Sequence, residues 1–264
     1  MQADLAKFPI YTTLGSTFGA TQRFNRFELM AKGTVDRTQY QQSLLTDGTT
    51  SSNHDRDYNQ YTGQLRGSYE LTPGLKPFAE VAVDKRVHDL AFDRNNLQRD
   101  SDALTPRVGS TFELSRIVTG EASVGYLLRH YKDPSLQDLR GVVADANLVW
   151  LMTGLTTATF TATSRAEEST VAGVSGTLRR DLSAQLDHAF RRWLIATVKV
   201  GVGFDQYIGL GRNDMRTFVS GGLTYKLNRE VWLKGEVRQD WMRSNAIGVD
   251  YNATSFLLGL KLQR

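Results

Sequence analysis

Apolar and polar residues alternate along most of the chain, in blocks of about 10 to 14 residues. At residues 27–35, for example, Phe27 and Leu29 fall on one side of an extended chain, whereas Glu28 and Lys32 fall on the other. This period of two predicts β-strands with one apolar and one polar face, because successive side chains of a strand point in opposite directions. Thirteen such blocks are predicted, and they begin near residues 11, 26, 59, 77, 103, 118, 141, 155, 177, 193, 215, 230 and 253.

The connections between these blocks are short and long in turn, which predicts a β-meander. Short polar turns are expected at residues 23–25, 72–76, 115–117, 152–154, 190–192 and 228–229. Antiparallel outer-membrane barrels have short turns on the periplasmic rim and long loops on the extracellular rim. The long connections are rich in Asp, Asn, Ser, Gly and Arg, and they fall at residues 41–58, 89–102, 132–140, 168–176, 208–214 and 244–252.

Composition excludes several classes of protein but leaves this barrel open. The 264 residues carry a formal net charge of +4, are 40% hydrophobic and include no cysteine. No apolar run approaches the roughly 20 residues of a transmembrane helix, and disulfide scaffolds and thiolate sites are excluded. A barrel averages to a soluble composition because its residues alternate. The N-terminus has no signal-peptide pattern, so we expect either a processed exported protein or a cytoplasmic chain that is not a barrel.

A soluble β-sandwich also alternates, and the distribution of aromatic residues favours the barrel over it. The outward face is rich in small residues, which would fill a sandwich core poorly, and the opposite face is heavily charged. Two aromatic girdles are predicted on the outward face. One lies near the short turns, with Phe27, Tyr69, Phe112, Trp150, Phe190 and Tyr225, and the other lies toward the long loops, with Tyr61, Tyr126, Phe204 and Trp241.

The number of blocks raises a question of closure. With thirteen strands, the first and last run in the same direction, whereas bacterial single-chain barrels have an even number of antiparallel strands. We therefore expect one transmembrane up-and-down barrel domain over residues 1–264, with about fourteen strands, one N-terminal strand being missing from this chain. Twelve strands is the alternative, if one block, such as the first, is not a strand.

The polar face predicts the lining of a lumen. The acidic candidates lie mostly near the short turns and the basic ones mostly higher up, which suggests a polar conduit that favours anionic or hydroxyl-rich solutes. The alternative is that acids and bases pair across neighbouring strands and only hold the lumen together. The basic candidates are Lys32, Arg66, Arg86, Arg107, Arg129, Arg165, Arg179, Lys199 and Arg216, and the acidic ones are Glu70, Glu80, Glu113, Glu121 and Asp145.

Tests for catalytic or metal-binding patterns give no enzyme signature. Asp187 and His188 are neighbours on one strand and point to opposite faces, so they cannot act as a catalytic pair. An Asp–His base is conceivable at His88, but a salt-linked lumen explains that residue better. The acidic loops lack a complete Ca²⁺-binding pattern, and Lys and Arg form no basic stripe for nucleic acid. We expect no enzyme activity, no metal, no cofactor and no nucleic-acid partner.

Several stretches resemble the putative β-barrel porin 2 family of Gram-negative outer-membrane proteins. The resemblance covers roughly residues 27–262 and is carried by PFAEVAVDKRVHD at 77–89, RDSD at 99–102, VGYLLRHYKDPSLQDLRGVVADANLVW at 124–150, LTTATFTATSRAEESTVAGVSG at 155–176 and LNREVWLKGEVRQDWMRSN at 227–245. It implies an outer-membrane barrel of largely unassigned transport function, in some cases linked to surface-polysaccharide export. Family members look longer at the N-terminus and tend to end on an aromatic residue, whereas this chain ends Leu262-Gln263-Arg264.

From these observations we expect a porin or channel for passive passage of small hydrophilic solutes across the outer membrane of a Gram-negative bacterium. Two alternatives stay open, namely a barrel component of polysaccharide secretion or envelope assembly, and a closed structural barrel. The expected partners are outer-membrane lipid, lipopolysaccharide and small polar solutes, with periplasmic export or envelope proteins under the second interpretation.

Overall fold

The computed structural model describes Ala6 and residues 10–114, 117–169 and 173–263, which fold almost entirely as β-strands. The helical element in these residues is a 3-10 turn at His54–Arg56, and no helix there is long and apolar enough to cross a membrane. The strands are β1 (Tyr11–Phe24), β2 (Phe27–Tyr40), β3 (Ser43–Leu44), β4 (Thr50–Ser51), β5 (Tyr58–Tyr69), β6 (Leu75–His88), β7 (Ser101–Leu114), β8 (Val118–Tyr131), β9 (Leu139–Leu151), β10 (Thr156–Glu167), β11 (Gly176–Arg191), β12 (Leu194–Ile208), β13 (Asn213–Lys226), β14 (Val231–Ser244) and β15 (Tyr251–Leu262).

Thirteen of these strands form one antiparallel sheet in which every strand pairs with the next long strand along the chain. The short strands β3 and β4 pair with each other inside the loop between β2 and β5. Each long strand begins within two residues of a predicted block. The prediction of an all-β, up-and-down antiparallel fold is therefore confirmed.

Short turns and long loops lie on opposite rims of the sheet, as predicted. The turn between β1 and β2 contains two residues, and its Asn25 has a φ of 55°, a left-handed conformation that asparagine tolerates better than most residues. The longest connection, between β2 and β5, contains the β3–β4 ribbon and the 3-10 turn. The predicted turn at 115–117 and the predicted loop at 168–176 each fall partly outside the described residues.

The described sheet is open, which differs from the predicted closure with fourteen or twelve strands. Among the described residues, β1 pairs with β2 alone and β15 with β14 alone. Both edge strands run from the long-loop rim to the short-turn rim, because the direction alternates from strand to strand and the sheet has an odd number of strands. The sheet contains one long strand for each of the thirteen predicted blocks, and no described strand lies between the two edges.

One irregularity interrupts the sheet between β9 and β10. Their backbone pairing ends at Ala146 and Ala162, whereas the pairing of β10 with β11 continues five residues further, to Glu167 and Thr177. Above the break, the hydroxyl of Ser164 accepts a hydrogen bond from the amide of Ala144 (2.9 Å) and donates one to its carbonyl (3.0 Å). Because the backbone pairing with β9 stops there, the ends of β10 and β11 near the long loops can leave the plane of β9.

Candidate functional site

One face of the sheet, called the lumen face below, carries a network of ion pairs. Strand alternation places Arg66 of β5, Glu80 of β6 and Glu121 of β8 on this face. The Arg66 guanidinium contacts the Glu80 carboxylate at 2.6 Å and the Glu121 carboxylate at 2.8 Å. These contacts join side chains from three strands, so the network links the wall of the sheet laterally.

The other predicted lumen arginines also have carboxylate partners. Glu70 pairs with Arg23. The two predicted lysines, Lys32 and Lys199, have no carboxylate within 4.0 Å among the described residues. The ammonium of Lys199 lies 5.8 Å from the ring centre of Phe218. The arginines therefore form a neutralised network, which agrees with the cross-strand pairing alternative. No ion pair is found for Glu113 among the described residues. The remaining pairs are Arg86–Glu168 (2.7 Å), Arg107–Asp145 (2.6 Å), Arg129–Asp84 (2.6 Å), Arg165–Glu167 (3.0 Å), Arg179–Glu167 (3.3 Å) and Arg216–Asp205 (2.8 Å).

The opposite, outward face carries the predicted aromatic residues. Phe27 and Tyr69 are cross-strand neighbours at the short-turn rim, and the ring centres of Trp193 and Tyr225 lie 5.1 Å apart at the same rim. Phe112, Trp150 and Phe190 occupy outward positions toward that rim, whereas Tyr61, Tyr126, Phe204 and Trp241 do so toward the long loops.

The upper end of the β10–β11 hairpin, which we call the plug (residues 163–169 and 173–178), bends across the lumen face. The guanidinium of Arg86 on β6 donates to the carbonyl of Ala166 (2.9 Å) and to the carboxylate of Glu168 (2.7 Å). Arg99, in the loop between β6 and β7, donates to the carbonyl of Val174 (3.2 Å). Because β6 is four strands away from β10 in the sheet, these contacts require the plug to cross the lumen.

An apolar cluster seats the plug against the lumen face of β7, β8 and β9. Leu178 of β11 and Leu139 of β9 are fully buried in it. The close approach depends on Gly141, where a Cβ atom would overlap the Cδ2 atom of Leu178, and on Gly176, where a Cβ atom would lie 2.6 Å from the Tyr131 hydroxyl. The cluster also includes Ala103, Leu127, Leu136, Val143 and Ile208.

Two cavities lie on opposite sides of the plug. The lower one, within the lumen, has a volume of about 220 Å³ and is lined by the side chains of four predicted arginines, Arg86, Arg107, Arg129 and Arg165, together with Gln60, Thr62, Thr105 and Ser164. The upper one, among the long loops, has a volume of about 30 Å³, which is room for about one water molecule. Glu168 lines the upper cavity and Arg86 the lower, so their ion pair separates the two.

The Arg86–Glu168 pair is the most deeply buried ion pair of the plug. The side chains are 7% and 11% exposed. Burial opposes ionisation of Glu168, but the Arg86 guanidinium outweighs it and holds the pKa of this carboxyl below its usual range. Glu168 is therefore charged at neutral pH, and a charged pair in a poorly hydrated site is costly to separate.

Sequence reasoning did not find the plug. Glu168 belongs to a segment predicted as an extracellular loop, and alternation from the lumen candidate Arg179 places Leu178 on the outward face of β11. The sequence signal for the plug is the run Leu139, Gly141 and Val143. These apolar and small residues occupy lumen-facing positions, where charged residues were expected.

The described residues show where the two histidines considered as catalytic candidates lie and whether acidic or histidine side chains cluster. The Nδ1 atom of His88 lies 3.4 Å from the Asp100 carboxylate and makes no hydrogen bond. Asp187 accepts a hydrogen bond from Thr197 on the lumen face, whereas His188 bonds Thr156 on the outward face. The described residues contain no group of three or more His, Cys, Asp or Glu side chains able to hold a metal ion.

An up-and-down sheet with an apolar outward face and a charged inner face defines a class, that of outer-membrane β-barrel proteins. Within this class the chain matches the family described as Putative beta-barrel porin 2 over residues 1–264, and it belongs to this family. No curated protein sequence matches the chain.

Three solved structures align with the chain at low sequence identity. The FrpB iron transporter from Neisseria meningitidis (F3-3 variant) aligns with a TM-score of 0.53 at 8% identity, covering 93% of this chain and 44% of FrpB. The siderophore receptor PirA from Pseudomonas aeruginosa aligns at 0.48 with 9% identity, covering 94% and 54%. A loop-deletion mutant of OmpT from Vibrio cholerae aligns at 0.41 with 8% identity, covering 97% and 98%. The chain thus spans less than half of FrpB, and at 8% identity that likeness is one of fold alone.

Proposed function

We propose that the protein is an outer-membrane channel for passive passage of small hydrophilic solutes, closed at its upper end by the plug. The observation that carries this proposal is the cavity beneath the plug, which is lined by guanidinium, hydroxyl and amide groups, by the Asp84 carboxylate and by several apolar side chains. Family membership supports an outer-membrane barrel, and the apolar outward face supports burial in lipid. Neither catalysis nor a cofactor is part of the proposal.

The lining of the cavity suits anionic or hydroxyl-rich solutes. The Nε atoms of Arg107 and Arg129 are buried without a hydrogen-bond partner among the described residues. Thr62, Thr105 and Ser164 add hydroxyl groups around the same space. Guanidinium groups hydrogen-bond carboxylates and hydroxyls without needing a net charge in the lumen, so selectivity arises from these donors rather than from a free positive surface.

In this proposal the plug is a gate rather than a permanent wall. It is held by the Arg86–Glu168 pair and by an apolar cluster. Opening separates these contacts, and the end of β12 that pairs with the plug moves with it. A barrel of about fourteen strands lies between the filled eight-stranded and the open sixteen-stranded types, so a narrow pore is expected when the plug moves.

Closure of the wall completes the proposal. Because β1 and β15 run in the same direction, one ascending strand would pair antiparallel with both and give fourteen strands, in keeping with the even number in bacterial barrels. Hydrogen exchange tests this point, since closure predicts slow exchange at the edge amides of β1 and β15 that point away from β2 and β14. Fast exchange at those amides in the membrane-inserted protein would contradict closure.

Conductance across planar lipid bilayers tests the channel. The proposal predicts discrete current steps from the purified protein. Silence from protein that shows the heat-dependent gel mobility of a folded barrel would exclude the channel. It would leave the closed structural barrel or the accessory barrel of polysaccharide secretion as the remaining functions.

A further inference from the structure

The break between β9 and β10 occurs where the register of the two strands would allow further ladder pairs. The last backbone pair joins Ala146 to Ala162. Two further pairs would follow in the same register, Ala144 with Ser164 and Val142 with Ala166. In an antiparallel pair of this kind, the amide and the carbonyl of each residue bond the facing residue. In the structure, side chains bind several of these backbone groups instead.

At the first of these pairs, the side chains of Ser164 and Asp145 take the place of backbone partners. The Ser164 hydroxyl accepts a hydrogen bond from the Ala144 amide (2.9 Å) and donates one to the Ala144 carbonyl (3.0 Å). The Ser164 amide donates to the Asp145 carboxylate (3.4 Å). Both polar groups of Ala144 therefore point toward β10, as a continued ladder requires.

At the second pair, two guanidinium groups take the place of backbone partners. The Nε atom of Arg180 on β11 donates to the carbonyl of Val142 (3.0 Å). Arg86 on β6 donates to the carbonyl of Ala166 (2.9 Å). Each arginine thus binds one half of the same missing ladder pair, and both bonds would have to break before Val142 and Ala166 could face each other.

These backbone groups lie at a depth where lipid offers them no hydrogen bond. Val142 lies eight residues above the girdle residue Trp150 on the same strand, which is a rise of about 20 Å at roughly 3.3 Å per residue and a tilt of about 40°. The apolar band of an outer-membrane barrel is about 25 Å tall, and backbone polar groups within it need partners in the protein. Side chains supply partners while the plug crosses the lumen, and the backbone of β10 would supply them if it lay in the wall.

The alternation of β10 and β11 suits the wall as well as the plug. In the continued register Ala166 would face lipid beside Val142, whereas Arg165 and Glu167 would face the lumen. Leu178 is the partner of Ala166 on β11, so it would also face lipid, as the sequence pattern predicts. The same apolar side chains can therefore seat the plug or complete the outward face.

Glu168 would have a cationic partner in either place. In the plug it binds Arg86 of β6 (2.7 Å). The continued register places it opposite Arg140 of β9, an outward arginine that is 62% exposed and contacts Asp138 at 2.8 Å. Opposite charges that face each other across two strands stabilise the pairing. Return of β10 to the wall would therefore transfer Glu168 from one arginine to another.

We propose that the upper part of β10 exchanges between two places in the sheet. In the plugged arrangement residues 163–168 cross the lumen, and in a second, the wall arrangement, they extend the ladder of β9 over residues 140–145. The upper end of β11 and the end of β12 stay paired with each other and move with β10. One movement thus opens the lumen and closes the break in the wall. The inference rests on the proposed gate and adds where the plug goes when the channel opens.

A disulfide between β9 and β10 tests the wall arrangement, since the chain has no cysteine of its own. In Val142→Cys/Ala166→Cys, the two positions would face each other at a separation that a disulfide can span. Oxidation in lipid bilayers should raise the open fraction at least about tenfold, because the bond holds residue 166 where Arg180 lies in the plugged arrangement. Dithiothreitol should reverse the change. The matched control is Ala146→Cys/Ala162→Cys, whose positions are already paired, so its disulfide should form without changing the open fraction.

A single substitution tests the plugged arrangement from the other side. Ser164→Ala removes the hydroxyl that binds both backbone groups of Ala144. The plugged arrangement would leave these groups without a partner, whereas the wall arrangement would bind them through the β10 backbone. The open fraction should therefore rise about tenfold. Thr163→Ala is the matched control, because no hydrogen bond of the Thr163 side chain to the described residues is found, and it should behave as the unchanged protein does.

Three results would overturn the inference: a disulfide between positions 142 and 166 that leaves the open fraction unchanged, no such disulfide under conditions that link the control pair, or equal open fractions in Ser164→Ala and Thr163→Ala. The heat-dependent gel mobility of each variant establishes that it is folded. Disulfide formation is measured as loss of thiol labelling, which needs no conduction. Silent bilayers from protein that forms the disulfide between positions 142 and 166 would therefore count against the channel and not against the exchange of β10.

Discussion

Replacement of Glu168 by glutamine removes one charge from the buried pair that holds the plug. The Arg86 guanidinium would keep its hydrogen bond to the carbonyl of Ala166 (2.9 Å). It would lose its carboxylate partner in a site where the two side chains are almost fully buried. The closed arrangement would then contain an uncompensated buried cation, whereas an opened plug would expose that cation to water.

The expected size of the effect follows from the burial of the pair. Removal of one partner from a buried ion pair costs about 3–5 kcal/mol. Glutamine can still accept a hydrogen bond from Arg86, so the lower end, about 3 kcal/mol, is appropriate. At about 1.4 kcal/mol per factor of ten, the ratio of closed to open channels should fall by roughly two orders of magnitude.

Single-channel recording in planar bilayers measures this ratio directly. Glu167→Gln is the matched control. The neighbouring Glu167 is 39% exposed and pairs with Arg165 and Arg179 rather than with Arg86. Glu168→Gln should be open for a much larger fraction of the time, and Glu167→Gln should resemble the unchanged protein. Equal open fractions in all three proteins would refute the role of the Arg86–Glu168 pair as a latch.

Three further predictions concern the same region. Leu139→Ala should lower the free energy of unfolding by about 2–5 kcal/mol because it leaves a cavity in a fully buried cluster, and denaturation in lipid vesicles should show a smaller loss for the exposed Leu65→Ala. Because the pKa of Glu168 is held below its ordinary value of 4.5, its contribution is present above about pH 4.5 and is lost as the pH falls through the lowered value; recordings should show more opening on acidification, and none of this change in Glu168→Gln. Arg107→Gln leaves Asp145 without its 2.6 Å partner, so the reversal potential should shift toward cation preference, and an unchanged potential would remove this pair from the conduction path.

Alternation alone predicts most of the fold because each strand position has one of two environments. Phe27 and Glu28 reveal their faces independently of any distant residue, and the thirteen strands follow from the same rule. The partners within the lumen do not follow from it, since the contact of Arg86 with Glu168 joins residues 82 positions apart. The plug was missed because Leu178 obeys the outward pattern of β11 yet packs against the lumen side of β9, an overlap that depends on the missing side chain of Gly141.

Solute flux into vesicles tests the central claim most directly. Liposomes containing the purified protein and placed in an isotonic solution of a small neutral sugar should swell as the sugar enters, slowly with the unchanged protein and faster with Glu168→Gln. A large oligosaccharide should cause no swelling through either protein, because the pore is narrow. Absence of swelling with the small sugar for both proteins, when each is folded and inserted, would contradict passage through the lumen.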